Sequence, residues 1–525
     1  MKNILTIATA CAMLVGFSSC NDFLTEESKS SLTAPDYYKT QAQAEGNVNY
    51  LYRTGAPSVL SSAGSAYVGP FATIPGMLTG YFQNAYEGQE LTCKYSRELI
   101  RQQYTQTVSG TMDGVWDACY KAINVANGAI KYIPEIAMDG SVAARLLGEA
   151  KFFRAFNYFL LVKTFGAVPM PTEPYEAMEN LYLERTSVDQ VYALIESDLK
   201  DAVNNLPAEK FYSNGNRVTK YAAAMVLASV YMQENKYADA ATYAKIVIDS
   251  PHALTTNDDL ALGSAFNKLR STDGLDEVIY SYEYNASISS GGWWPSYSFD
   301  ASGTNVFKTY SIYTNVYGAT KQFLNVYEAN DLRVQPNQFF HWTYTRPDDP
   351  SVSWTTKDDM PCNWYWYDED ALLTTGRATK DRDFYRYAEA LLDGAEAIAQ
   401  SQGVTAEAAG YLAQVKARAN MEGKTASAIA ADLQKLGKDA FVQECWNERL
   451  REFPLEFKIW DDCLRTKKFP VISKTVKGQV QYVDLVGAQN ASGATFKQSD
   501  LLWPISLNEM QRNPSLTQND GYQLN

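Results

Sequence analysis

Between about residue 112 and 250 the pattern is helical nearly throughout, with mostly apolar positions recurring at spacings of three and four. Leu146, Ala150, Phe153, Asn157, Leu160 and Thr164 form one such series, and Val218, Tyr221, Met225, Ala228 and Met232 another. Each series predicts a helix with one buried stripe. Helix breaks are expected between them, at Gly166-Ala167-Val168-Pro169 and at Leu206-Pro207. A further helical block runs from Tyr385 to Gln400 and from Ala406 to Ala419, joined by Ser401-Gln402-Gly403.

Leu227-Ala228-x-x-Tyr231, followed by Ala240, Ala244 and Pro251, approximates the tetratricopeptide pattern, in which small residues let two antiparallel helices cross closely and proline ends the second. Segments at about 55–95 and 285–375 read differently. They are rich in Gly, Ser, Pro, Asn and aromatics, and predict short strands or long loops, as in Asn363-Trp364-Tyr365-Trp366-Tyr367. Loops of that length on a helical scaffold usually carry function. The expected fold is therefore mainly α, with helix pairs as scaffold over about 36–255 and 384–452. An irregular region of loops and a few short strands covers about 256–383, and a C-terminal segment 453–525. No linker composition supports a split near residue 255, so residues 20–525 read as one domain.

The first apolar stretch, Ile4 to Phe17, is too short to span a bilayer. It follows Lys2 and runs into Ser18-Ser19-Cys20, the order of a lipoprotein signal peptide over residues 1–19 with Cys20 as the acylated residue. Removing those residues takes away one lysine and no acid, so the net charge of −14 becomes −15. That charge argues against nucleic acid and against bulk polyanions as ligands. The remaining cysteines, Cys93, Cys119, Cys362, Cys445 and Cys463, are an odd, scattered set and not a disulfide framework.

The chain has only two histidines, which excludes zinc sites built on several imidazoles and leaves any Ser-His-Asp or Cys-His arrangement dependent on one of them. His252, after Pro251, reads as a surface or capping residue; His341, in Phe339-Phe340-His341-Trp342, reads as a packed or ligand-facing ring. Asp358-Asp359, Asp368-Glu369-Asp370 and Asp461-Asp462 lack the alternation of a calcium loop, so no metal or cofactor is predicted and no catalytic residue is assigned. By contrast 36 Tyr, 22 Phe and 10 Trp are an excess for a polar protein; core packing must absorb most of them, and the excess points to stacking surfaces.

An ordered series of motifs runs the length of the chain. It includes Trp116-x-x-x-Tyr120-x-x-Ile123 with Ala126-Asn127, Gly148-Glu149-Ala150-Lys151-Phe152-Phe153-Arg154-Ala155, Phe165-Gly166-x-Val168-Pro169 and Arg217-Val218-Thr219-Lys220. Later come Arg386-Tyr387-Ala388-Glu389, Glu448-Arg449-x-x-Glu452-Phe453 and Asn513-Pro514-x-Leu516-x-Gln518-Asn519-x-Gly521-Tyr522. Together, after a lipoprotein signal, they resemble the SusD/RagB family of outer-membrane nutrient-uptake lipoproteins. Glu149, Arg154, Glu389, Glu396 and the Glu448/Arg449/Glu452 cluster are expected to form buried ion pairs and not a site. The acidic Asn21-Asp22-Phe23-Leu24-Thr25-Glu26-Glu27 after Cys20 resembles the export signal of Bacteroidetes surface lipoproteins, implying an outer-membrane location facing outward.

The resemblance implies a non-enzymatic protein that captures oligosaccharides and delivers them to a SusC-like TonB-dependent transporter. RagB-like members imply peptides instead, and a surface-anchored hydrolase is a third class. Sugar rings stack on Trp and Tyr, with hydroxyls met by polar side chains at the edges. The expected glycan-binding set is Tyr81, Phe82, Asn84 and Tyr86 from an early loop, with Asn285, Trp293, Trp294, Tyr297 and Asp300 from the middle. Arg346, Trp354, Trp364 and Trp366 are added to it. Gly291-Gly292 and Pro295 around Trp293-Trp294 predict at least one ring turned outward. Alternation along a strand predicts Trp364 and Trp366 on one face.

Overall fold

The computed structural model describes residues 38–61, 71–83, 106–176, 181–285, 287, 291–299, 301–307 and 315–522. The principal helices are α1 (Gln41–Leu51), α2 (Gln106–Tyr132), α3 (Gly140–Phe165), α4 (Val188–Asn205), α5 (Lys220–Gln233), α6 (Tyr237–Ile248) and α7 (Ala265–Ser271). After them come the short α8 (Trp294–Ser298) and α9 (Glu369–Leu373), then α10 (Tyr387–Gln402), α11 (Ala406–Ala419), α12 (Ala426–Leu433), α13 (Lys438–Glu452) and α14 (Ile459–Thr466). Their starts follow local chemistry. Asp139, Ser187, Thr219, Thr405 and Thr425 each accept a hydrogen bond from a backbone N–H of the first turn. Their stops do too: α3 ends at Gly166, at φ +74°, and α10 at Gly403, at φ +90°.

Neighbouring helices pack pairwise, α2 on α3, α3 on α4, α5 on α6, α6 on α10 and α10 on α11. The close crossings fall where side chains are small: Ala222, Ala223, Ala224 and Ala228 on α5 are fully buried, as are Ala240 and Ala244 on α6. Sequence periodicity predicts one stripe on α3 and α5, whereas both are buried nearly all round, because each is sandwiched between other helices. One main core runs through the whole scaffold, from Tyr38 to Leu516.

The strands are short and pair in twos. β1 (Phe82–Gln83) pairs with β3 (Gly318–Ala319), β2 (Val278–Tyr282) with β8 (Arg382–Arg386), and β4 (Phe340–His341) with β7 (Cys362–Asn363). A hairpin joins β5 (Thr343–Arg346) to β6 (Asp349–Thr355), and β9 (Lys468–Ile472) pairs with β10 (Val480–Asp484).

The charged residues predicted to be structural are buried and paired, mostly with partners on other elements. Arg154 grips Asp198 with two nitrogens, at 2.7 and 2.8 Å, and Glu149 is held by Arg145 and Arg217. Glu396 takes two hydrogen bonds from Arg465, and Glu389 receives Arg449 and Lys458. His252 departs from its expected place at the surface. It is 4% exposed, its Nδ1 lies 2.8 Å from the Asp276 carbonyl, and burial lowers its pKa. Cys119, Cys362, Cys445 and Cys463 are buried and form no disulfide among the described residues; Cys93 lies outside the described residues.

Candidate functional site

Beside the main core stands a second, smaller aromatic cluster made of Phe299, Val306, Phe307, Tyr344, Cys362 and Leu372. Trp354, Trp364 and Tyr367 pack against it and stay half-buried. The β5–β6 hairpin sets Trp354 directly across from Tyr344, with ring centroids 5.8 Å apart, and the indole of Trp354 donates to Ser302 Oγ at 3.1 Å. Trp364 and Tyr367 are stacked at 4.1 Å, 10° from parallel. Trp364 Nε1 donates to Asn267 Oδ1 at 2.9 Å, and the Arg270 guanidinium lies 5.2 Å from its ring centre. His341 packs edge-on against Tyr344 and its Nε2 meets the Thr343 carbonyl. Burial holds its pKa down, which fits the packed one of the two alternatives expected for it, a packed or a ligand-facing ring.

Strand alternation does not hold at Trp364 and Trp366. Residues Trp364–Trp366 form a single 3₁₀ turn, so Trp366 points away from Trp364 into the main core, 5.1 Å from Trp294 and 5.4 Å from Phe457. With three residues per turn, position 367 and not 366 eclipses 364. Tyr367, missed by the sequence reading, is thus the stacking partner.

Of the predicted early residues, Tyr81 and Phe82 are interior. The Tyr81 hydroxyl donates to the Pro470 carbonyl at 2.7 Å and accepts from Ile472 N–H, while Phe82 stacks on Tyr317 at 4.1 Å. Their rings clamp the scaffold and are not displayed. Asn84, Tyr86 and Asp300 lie outside the described residues, as does Cys20.

The double tryptophan divides. Trp294 is 6% exposed, and Tyr297 sits beside it with 1%. The flanking glycines explain this correction. They do not loosen the loop: Gly292 and Ala378 exchange backbone hydrogen bonds at 2.8 and 2.9 Å. Gly291 stands at φ +68°, where a Cβ would come within 2.4 Å of the Ala378 carbonyl. The close pairing draws Trp294 inward as α8 begins, with Pro295 in its first turn. Trp293 remains half-buried, with the Arg377 guanidinium 4.1 Å from its ring centre. Asn285 is exposed, its side chain accepting from Ser287 N–H at 2.9 Å, and Arg346 is half-buried against Asp348 at 3.3 Å.

Asp381, which lines a pocket together with Tyr367, accepts from the Tyr212 hydroxyl at 3.0 Å and from Tyr284 N–H at 2.9 Å. Burial first, then the charge of Asp273, push its pKa up to about 7; Lys380 and the two hydrogen bonds act against the rise. A carboxyl whose folded pKa is raised makes folding favour the protonated form. Its effect on stability is therefore lost progressively between the unfolded value of about 4 and pH 7. In Asp381→Asn that loss is absent, so urea midpoints should show the variant gaining on the wild type by about 1–2 kcal/mol between pH 5 and pH 8. An unchanged difference at the two pH values would mean that Asp381 titrates normally.

A separate cavity of about 110 Å³ lies among core residues, including Phe156, Phe159, Trp460 and Trp503, and holds none of the predicted residues.

Comparison with known proteins places both halves of the chain. Residues 65–232 match the SusD-like family described as "Starch-binding associating with outer membrane", and residues 277–522 match the SusD family. The chain is 27% identical over 480 residues to SusD-like protein P2 of Formosa agariphila, covering 87% of this chain and 90% of that one. It shares its fold with a SusD superfamily protein of Parabacteroides distasonis, with a TM-score of 0.78 at 24% identity over 92% of this chain and 99% of that one. Surface glycan-binding protein A of Bacteroides thetaiotaomicron, solved in complex with laminarihexaose, aligns with a TM-score of 0.68 at 18% identity, over 92% of this chain and all of that one. With two family matches in chain order and the same architecture throughout, this chain belongs to the SusD/RagB family.

Proposed function

We propose that this protein binds glycans at the cell surface and delivers them to a SusC-like TonB-dependent transporter, held in the outer membrane by acyl chains on Cys20. The observation that carries the reading is the half-buried aromatic shelf of Trp354, Trp364 and Tyr367, with Trp293 on its own loop, standing outside the main core on a helical scaffold. Flat rings edged by Arg, Asn and Ser match the alternation of C–H faces and hydroxyls on sugars. The glycan complex of a protein with this fold supports the same ligand class. Binding without catalysis is the expected mode: both histidines are packed, and the buried acids of the family motifs are engaged in ion pairs.

Calorimetry of the purified protein against a panel of oligosaccharides tests the ligand class. Binding of at least one oligosaccharide with no release of reducing ends is the expected result. Peptide binding with no oligosaccharide binding would overturn it.

The anchor has its own test. Cys20→Ala should leave a folded protein that fractionates as soluble in a transporter-deficient strain, because the acyl chains supply the insertion energy and a net charge of −15 gives no electrostatic substitute. Retention of that variant in the membrane fraction would contradict lipid anchoring.

A further inference from the structure

Beneath α8, and sharing Tyr367 with the aromatic shelf, is a pocket of about 50 Å³. Two guanidiniums line it, Arg270 and Arg382, and among the described residues neither makes an ion pair. Arg270 lies over the rings of Trp364 and Tyr367 and donates to the Tyr367 carbonyl at 2.6 Å and, from Nε, to Asn267 Oδ1 at 3.4 Å. Arg382 is 8% exposed and stands over Trp294 and Phe457, and among the described residues its side chain makes one hydrogen bond, a long one of 3.4 Å to the Glu456 carbonyl. Its Nε is buried with no acceptor, as is the indole Nε1 of Trp294 in the same wall.

Among the described residues this sets Arg382 apart from the other buried arginines. Buried Arg154, Arg333, Arg386, Arg418, Arg449, Arg451 and Arg465 are all clamped on carboxylates. A buried guanidinium needs such a partner, and a planar one that offers paired acceptors suits it best. The acids of the pocket are already committed. Asp368 caps α9 through Ala371 N–H, Lys380 bridges Asp383 and Asp273, and Asp381 carries reduced charge at neutral pH. Asp383 Oδ1, however, is buried without a donor and is placed to accept from a hydroxyl.

We propose that this pocket is a subsite for one anionic substituent, a carboxylate or a sulfate ester, carried by the glycan that lies on the aromatic shelf. The proposal rests on the glycan reading of that shelf and adds a substrate class to it. The pocket has room for such a group but not for a whole sugar ring. A single substituent met by two local guanidiniums is compatible with a protein whose overall charge is negative, which long polyanions are not.

Ligand-observed NMR with D-glucuronate, glucose 6-sulfate, D-glucose, sodium acetate and sodium sulfate separates the possibilities. At least one of the two charged sugars should bind fivefold or more tighter than glucose, and the one preferred tells carboxylate from sulfate. Arg382→Met keeps an apolar stem beside Trp294 and Phe457 and should abolish the preference while leaving glucose binding unchanged; Arg270→Met, read by the ratio of charged to neutral sugar affinity alone, is a second variant should the first fail to fold. Equal binding of charged and neutral sugars would overturn the subsite and leave the glycan reading standing. Binding of free acetate or sulfate as tight as that of the charged sugars, with no neutral oligosaccharide bound, would overturn the subsite as a glycan feature and the glycan reading with it.

Discussion

Arg386→Met should cost about 3–5 kcal/mol of folding stability, among the largest single losses available in this chain. Arg386 is fully buried where β8 turns into α10, and its guanidinium meets Glu277 at 2.5 Å, Glu452 at 3.1 Å and Glu456 at 2.6 Å. Arg418 still serves Glu277 and Glu452 after the substitution, and Arg333 also serves Glu452. Glu456 loses its ion-pair partner. Burial already raises the Glu456 pKa against the pull of Arg386, so in the variant it should take up a proton nearer neutrality. The sign follows: a carboxyl whose folded pKa is raised favours folding at low pH, so the deficit of Arg386→Met should shrink from pH 8 to pH 5. Adding Glu456→Gln should recover part of the loss at pH 8 and little at pH 5, which denaturant midpoints of the two variants can read. A deficit below about 1 kcal/mol would show that the network relaxes around the missing cation.

That network was legible only in part, as residues and not as a geometry. Glu448, Arg449 and Glu452 stand in a motif expected to form buried ion pairs, whereas Arg386 stands in another motif that assigned it no partner. On α13, Glu448 and Glu452 are four apart and so share a face, meeting Arg333, whereas Arg449 turns to Asp393, Glu389 and Asp462. Glu277 and Arg333 lie in irregular sequence with no periodicity to announce them. The helices were readable because their signals are local: a capping oxygen at Asp139, Ser187 or Thr219, a glycine at 166 or 403, and an apolar period between. The aromatic shelf was only partly readable, because whether a ring is displayed depends on distant backbone. A 3₁₀ turn in place of a strand exchanged Trp366 for Tyr367. A pairing between Gly292 and Ala378, far apart in sequence, turned Trp294 inward. His252 shows the same limit, its burial decided by the Asp276 carbonyl and Tyr221 and not by the proline before it.

Trp293→Ala and Trp294→Ala should therefore part company. Trp294 contacts Tyr297, Trp366 and Phe457 in the main core. Its truncation leaves a cavity worth about 3–5 kcal/mol, and the buried Arg382 above it loses a packing surface as well. Trp293 is half-buried, packed chiefly under Arg377, and its loss should cost about 1 kcal/mol or less. If its ring meets a sugar face, truncation removes on the order of 100 Å² of apolar contact, worth roughly 2–3 kcal/mol at about 25 cal/mol per Å². Affinity for the best oligosaccharide in the panel should then fall by about 30-fold or more, since each 1.4 kcal/mol is a factor of ten. Paired melting and calorimetric measurements on the two variants read both effects. A large drop in melting temperature for Trp294→Ala, with near-native melting and weak binding for Trp293→Ala, is the expected pattern. If Trp293→Ala binds as the wild type does, the sugar platform reduces to Trp354, Trp364 and Tyr367, whose stacked pair then becomes the place where truncation must weaken binding.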